Sequence, residues 1–204
     1  MTDLFQEKAR DWDANDRRSR LAAAISSSIV DRVPLQAEMN VLDFGAGTGL
    51  ISARIAPLVE RIVAADTSQA MLDKLEQKPE LQSKVSTVCR DILDQPLDER
   101  FDLIVSAMAM HHVEDTSRLM QTFAEHLNDG GMVALADLDS EDGSFHPPET
   151  QGVYHQGFDR DELSSLMQGL GFDNIEFVTA HTVNGEEKDY PIFLVTASKS
   201  RAAA

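Results

Sequence analysis

The stretch Val41-Leu42-Asp43-Phe44-Gly45-Ala46-Gly47-Thr48-Gly49 decides how the rest of the chain is read. Val41 and Leu42 end an apolar run of buried-strand character. Three glycines follow at alternate positions, and Leu50-Ile51-Ser52-Ala53-Arg54-Ile55-Ala56 resumes with helical spacing. A strand that breaks into alternating glycines and re-forms as a helix is a nucleotide-binding turn. Glycine tolerates positive φ, and its missing Cβ lets a ligand lie against the backbone. The spacing is G-x-G-x-G, one residue shorter than the dinucleotide pattern G-x-G-x-x-G. Asp43 stands two residues before the first glycine, at the mouth of the strand. A carboxylate there repels a pyrophosphate and attracts an ammonium group, so the charge favours a nucleoside that carries a cation over NAD or FAD.

Working outward, Arg61-Ile62-Val63-Ala64-Ala65-Asp66 reads as a second strand that ends in an acid, about twenty residues beyond the glycines, the length of one strand-helix-strand unit. Thr67 or Ser68 can cap the next helix, whose apolar stripe is Met71, Leu72 and Leu75. Val85 to Ile92 alternates like a third strand with Asp91 near its end, and Cys89 inside it is read as a small buried hydrophobe. Phe101 to Ala107 is a continuous apolar run of the buried parallel-sheet type, followed by Met108-Ala109-Met110-His111-His112-Val113. Leu119, Met120, Phe123, Ala124 and Leu127 give a helical face closed by Asn128-Asp129-Gly130-Gly131, and Met132 to Asp137 is a fifth strand. After a turn-rich stretch, Asp159 caps a helix carrying Leu163, Leu166, Met167 and Leu170. Ile175–Ala180 and Ile192–Ser198 read as a terminal hairpin, and Arg201–Ala204 as a frayed tail.

Asp43 to Gly49 resembles motif I of the class I S-adenosylmethionine-dependent methyltransferases, and the likeness continues at matching intervals over roughly residues 38–198. The resemblance implies an α/β, Rossmann-like fold: a seven-stranded, mostly parallel sheet with helices on both faces and the last strand inserted antiparallel. It implies S-adenosyl-L-methionine as cofactor, with S-adenosyl-L-homocysteine as product. Asp43, Gly45, Ala46, Gly47 and Gly49 would hold the methionine portion, Asp66 the ribose hydroxyls, with Thr67 beside it. Met71 would touch the adenine, Asp91 would accept from its exocyclic amine, and Ile92 would pack on its ring. Ala107 and Met108, at the exit of the fourth strand, would border the transferred methyl group. Met71 as a core methionine and Asp91 as a loop carboxylate are the plainer alternatives.

No Asn/Asp-Pro-Pro-Tyr sequence follows the fourth strand; His111 and His112 stand there instead. A histidine titrates near neutrality and can take a proton from an acceptor hydroxyl, thiol or amine. Either one serves equally well as a structural hydrogen-bonder. Residues 1–36 resemble the N-terminal helical extension that lids the cofactor cleft in small-molecule methyltransferases, which implies a lid segment before a methyltransferase domain at 37–200, in a single domain overall. Leu21, Ile25 and Ile29 give its helix one apolar face, closed by Pro34. Trp12 would stack on substrate or cofactor, or anchor the lid. Arg17, Arg18 or Arg20 would pair with the cofactor carboxylate, or lie on a solvated face. Asp137 to His155 is too long and polar for a tight connection, which makes it a substrate-covering loop with His146, Tyr154 and His155 as candidate lining residues. Its carboxylates fit no metal-ligand spacing, so no metal is assigned.

The 204 residues suit one domain with a full core, and 42% hydrophobic with 26% charged residues is ordinary for a globular chain. The net charge of −17 repels polyanions, which argues against nucleic acid and anionic membranes as partners. A single cysteine excludes an intramolecular disulfide and a cysteine-rich zinc site. Neither a signal sequence nor an apolar span is visible, so the cytoplasm is the expected compartment. The reading that results is methyl transfer to a small-molecule acceptor, catalysed mainly by positioning, in the quinone C-methyltransferase-like, type 11 branch of the family. The alternative is a non-catalytic S-adenosylmethionine-binding protein that regulates or supports a partner. A nicotinamide oxidoreductase would need a Tyr-x-x-x-Lys pair that is not there. Acceptor identity and oligomeric state are not legible.

Overall fold

The computed structural model describes residue 3, residues 5–185 and residues 187–200; the tail at 201–204 lies outside them. Two helices open the chain, α1 (Gln6–Ala9) and α2 (Asp16–Arg32), the second capped by the Asn15 side chain. Strand β1 (Asn40–Phe44) leads through the glycine turn into α3 (Ser52–Ile55) and a 3₁₀ turn (Ala56–Leu58). There follow β2 (Arg61–Asp66), α4 (Gln69–Glu76, capped by Ser68), β3 (Val85–Cys89) and β4 (Phe101–Ala107). After a 3₁₀ turn (Met110–His112) come α5 (Thr116–His126), β5 (Leu127–Leu138), α6 (Arg160–Gly169), β6 (Phe172–Asn184) and β7 (Asp189–Lys199). The sheet order is β3-β2-β1-β4-β5-β7-β6, parallel except for β7, which runs antiparallel between β5 and β6. The expected sheet is therefore the observed one.

Side-chain alternation along the central strands builds two cores. Val41, Ile62, Ala64, Leu103, Val105, Ala134 and Ala136 face Ile25 and Ile29 of α2, Ile55 of α3 and Leu72 and Leu75 of α4. Leu42, Val63, Ala65, Ile104, Val133 and Leu135 face Met120 and Phe123 of α5 and Leu163 and Met167 of α6. The segment containing α2 thus shares a core with the sheet.

Three local expectations differ from the structure. Cys89 is exposed, not buried, because β3 is the sheet's edge strand and lacks a covering neighbour on its outer side. Asn128-Asp129-Gly130-Gly131 does not close α5; β5 already starts at Leu127 and runs through the glycines, with a register shift against β4 between Phe101 and Leu103. The terminal hairpin is longer than its apolar runs, because polar residues at both ends remain paired from Asn184↔Asp189 to Phe172↔Lys199. Among the described residues no helix is long and apolar enough to cross a membrane.

Candidate active site

The parallel strands end together, and their carboxyl ends open into a cavity of about 540 Å³. The glycine turn forms its floor. Gly45, Gly47 and Gly49 have φ of +66°, +54° and +79°, the left-handed region that favours glycine. A Cβ on Gly45 would stand 2.3 Å from the Ala109 Cβ, so the turn and the β4 exit pack at backbone distance. A Cβ on Gly47 would meet nothing within 4 Å: its backbone borders open cavity. The turn is tied to β2, for Gly45 N–H donates to the Ala65 carbonyl (2.9 Å) and Gly47 N–H to Asp66 Oδ2 (2.7 Å).

Two carboxylates of this floor carry its charge. Asp43 is 1% exposed, and its Oδ2 accepts from Ser52 Oγ at 2.6 Å. Burial pushes its pKa up to about 7 against the help of Ser52, so near neutrality it is poised between forms, and a cation beside it would hold it ionised. Asp66 accepts from Gly47 and Ser68 N–H; burial raises its pKa, and these hydrogen bonds oppose the rise. Thr67, Met71, Ala107, Met108 and Asp91 line the same cavity. Met108 sits at φ +58°, a strained conformation for a non-glycine at the β4 exit, while its N–H donates to the Ala136 carbonyl (2.8 Å). Ile92 is a correction. It is fully buried in the second core, and the tight turn in which Asp91 Oδ1 accepts from Leu93 N–H sends Leu93, not Ile92, to the cavity wall.

The two histidines separate cleanly. His111 is buried at 1% exposure; its Nδ1–H donates to Asp137 Oδ1 at 2.7 Å, and its backbone N–H to Asp137 Oδ2 at 3.2 Å. Its Nε2 faces His146 Nε2 at 3.2 Å, and neither ring borders the cavity. His112 does border it. Its Nδ1 lies 2.6 Å from the Gly152 carbonyl, which can only accept, so Nδ1 carries the proton and the neutral ring keeps a lone pair on Nε2. Burial is the main cause that drives its pKa down to about 4, so the ring is neutral at pH 7.

Of the expected acceptor-side residues, Trp12 and Tyr154 line the cavity and His146 and His155 do not. His155 is turned away because its Nε2 is held by the Val113 carbonyl (2.9 Å) and Thr116 Oγ1 (3.2 Å) and its ring lies on Phe158. His146 is held by His111. The N-terminal segment spans the cavity: Phe5 packs edge-on against both Trp12 and His112, and Arg18 lies over Trp12. Asp13 accepts from Thr48 Oγ1 on the glycine turn and pairs with Lys78 Nζ at 2.7 Å, while Asp3 accepts from Ser68 Oγ at 2.8 Å. The sequence reading missed Phe5, Asp13 and Leu93, and left Asp137 without a role. Its place at the end of the fifth strand, like that of Asp66 at the end of the second, was the available signal for Asp137. Among the described residues no group of three or more His, Cys, Asp or Glu side chains is arranged to hold a metal ion.

A family profile described as a methyltransferase domain matches residues 14–177. An uncharacterised methyltransferase of Schizosaccharomyces pombe is 32% identical over 157 residues, covering 69% of this chain and 55% of that protein. The cypemycin N-terminal methyltransferase of a Streptomyces species is 32% identical over 167 residues, covering 80% of this chain and 62% of that protein. The matched stretch thus spans little more than half of the length of these relatives. Phosphoethanolamine N-methyltransferase 2 of Haemonchus contortus, solved with phosphomonomethylethanolamine and S-adenosylhomocysteine, has a TM-score of 0.71 at 14% identity, covering 86% of this chain and 52% of that one. At that identity the likeness is one of fold.

Proposed function

The chain belongs to the methyltransferase-domain family, and from that premise we propose that it transfers the methyl group of S-adenosyl-L-methionine to a small-molecule acceptor bound under the N-terminal segment. The observation that carries the reading is one cavity lined by a buried carboxylate, a glycine cradle and a histidine whose Nδ1 is engaged by the Gly152 carbonyl. The residues fit the cofactor: the open space over Gly47 admits a ligand against backbone, the buried Asp43 carboxylate suits an ammonium group, and Asp66 suits ribose hydroxyls. When bound, S-adenosylmethionine supplies a sulfonium methyl that is already strongly electrophilic.

The protein's part is then mostly placement, which by itself lowers a barrier by up to about 10 kcal/mol when both partners are held in line. Met108 and Ala109 set the wall at the β4 exit, against which Gly45 packs. His112 offers Nε2 to an acceptor O–H or N–H, with its tautomer fixed by Gly152. His111 and Asp137 act behind it as positioning residues. The 1–36 segment serves as the lid, closing the cavity with Phe5 and Trp12. That the cavity continues past the glycine turn to His112 and Tyr154 favours an enzyme over a non-catalytic cofactor-binding protein.

The test is calorimetric titration with S-adenosylmethionine and S-adenosylhomocysteine, with NAD as control, followed by a screen of phenols, amines, thiols and acids for methylation. Micromolar binding of the first two and turnover of an acceptor would support the proposal. Absence of binding would refute it.

A further inference from the structure

We propose that Arg18 is the receptor for an anionic group on the methyl acceptor, a carboxylate at the end of an otherwise apolar body; the proposal rests on the methyltransferase reading above. Arg18, Leu21, Ala22 and Ile25 all line the cavity, and their spacing of i, i+3, i+4 and i+7 is one stripe of α2. That stripe gives a ligand lying along the helix a cation at one end and aliphatic wall for the rest. The guanidinium is stacked 3.9 Å from the Trp12 ring centre. Stacking fixes its plane and leaves its edge of N–H donors free, which is the geometry that takes a carboxylate two bonds at a time.

The other cations nearby are engaged or more open to water. Arg118 is held by Asp94 and the Leu93 carbonyl, Lys78 by Asp13 and the Thr48 carbonyl, and Arg90, which also lines the cavity, is at an exposed position. Among the described residues Arg18 has neither a carboxylate within ion-pair distance nor a hydrogen-bond acceptor for its side chain. Burial lowers its pKa, but a guanidinium stays charged at any physiological pH. A partly buried cation with no carboxylate at ion-pair distance among the described residues gains more from an incoming anion than a fully solvated one does. On a chain of net charge −17 an anionic substrate needs a local cation to be held.

The experiment starts from the wild-type protein saturated with S-adenosylhomocysteine, whose binding is measured first. Phenylacetate, indole-3-acetate and decanoate are titrated in, each beside its neutral amide, and the series is repeated with Arg18→Gln and Arg18→Lys. At least one acid should bind the wild-type complex tenfold or more tightly than its amide. Arg18→Gln should bring that acid down to the level of the amide, and Arg18→Lys should recover part of the difference. Among the described residues the side chain makes no hydrogen bond or ion pair and is held by its stacking on the Trp12 ring, so both variants should unfold within a few degrees of the wild-type temperature. Equal binding of acid and amide, or no acid binding at all, overturns the proposal. So does loss of S-adenosylhomocysteine affinity in Arg18→Gln with 5′-methylthioadenosine unaffected, because that result assigns Arg18 to the cofactor's own carboxylate. If the wild type fails to bind S-adenosylhomocysteine, the methyltransferase reading falls first and this proposal with it.

Discussion

Replacing Asp43 by asparagine should make the free protein more stable and the cofactor complex weaker, with a pH dependence that identifies the cause. In the fold the Asp43 carboxyl is 1% exposed and titrates near 7, against 3.8 when solvated. The folded state therefore holds a proton that the unfolded chain releases. The stability that this proton represents is fully present below about pH 4 and is lost as the pH rises through 7. Each pH unit between those limits removes about 1.4 kcal/mol, so on the order of 4 kcal/mol is gone by pH 8. Asparagine has no such titration, fits the same space and can still accept from Ser52 Oγ. Chemical denaturation of the two proteins should show the variant ahead by roughly 2–4 kcal/mol at pH 8, with the gap closing toward pH 4.

Binding should run the other way. The cofactor's ammonium holds Asp43 ionised, so Asp43→Asn should raise the Kd of S-adenosylhomocysteine by about a hundredfold, near 3 kcal/mol. The wild type should release close to one proton on binding at pH 6, read as a dependence of the calorimetric enthalpy on the ionisation enthalpy of the buffer, and the variant none. A stability gap independent of pH would show that Asp43 does not titrate in this range. Unchanged affinity in the variant would remove Asp43 from the cofactor site.

Gly45→Ala, which sets a Cβ 2.3 Å from that of Ala109 at φ +66°, should cost about 2 kcal/mol or more in thermal unfolding. Gly47→Ala meets no atom and should cost only about 1 kcal/mol, yet its methyl enters the cavity and should weaken S-adenosylhomocysteine binding in calorimetry. His112→Gln should leave cofactor affinity unchanged and lower kcat by roughly a hundredfold or more with a protic acceptor. As far as His112 is concerned, the wild-type rate should be flat above pH 5 and fall only on acidification through about 4, since the lone pair is lost on protonation. Asp13→Asn breaks the pair with Lys78 while keeping an acceptor for Thr48; stopped-flow displacement should show faster S-adenosylhomocysteine release, with stability changed by less than about 1 kcal/mol.

Much of this was legible in the chain because it is local. The runs Arg61–Asp66 and Phe101–Ala107 are the strands β2 and β4 to the residue, since each is a short, largely apolar run of strand length set between polar stretches or loops. What failed depended on distant partners. Cys89 lies in a sequence that alternates like any strand, but whether it is covered depends on which strand ends the sheet. Ile92 and Leu93 are adjacent aliphatics, and a hydrogen bond from the Leu93 amide to Asp91 decides which of them reaches the cavity. His111 and His112 are identical neighbours in the sequence. They differ because Asp137, 26 residues away, takes one ring, and the Gly152 carbonyl, 40 residues away, takes the other.

The same logic sorts the three acids found at strand ends. Along β1, Asp43 shares its face with Val41; along β2, Asp66 shares its face with Ile62 and Ala64. Both therefore emerge on the side of the sheet that α2 and α3 cover, and both line the cavity. On β5, Asp137 shares its face with Val133 and Leu135, which belong to the opposite core. Its carboxylate is thus kept from the cavity and completely buried, and it accepts from the His111 ring, the His111 amide and the Leu138 amide. The face on which each strand-ending acid emerges follows its parity, and parity is fixed by the register of each strand. Sliding β5 by one residue would carry Asp137 to the cavity side and free His111 from its partner. The separation of a buried, anchored histidine from an open one at adjacent positions is therefore a consequence of how β5 pairs with β4, and not of anything in the His-His sequence itself.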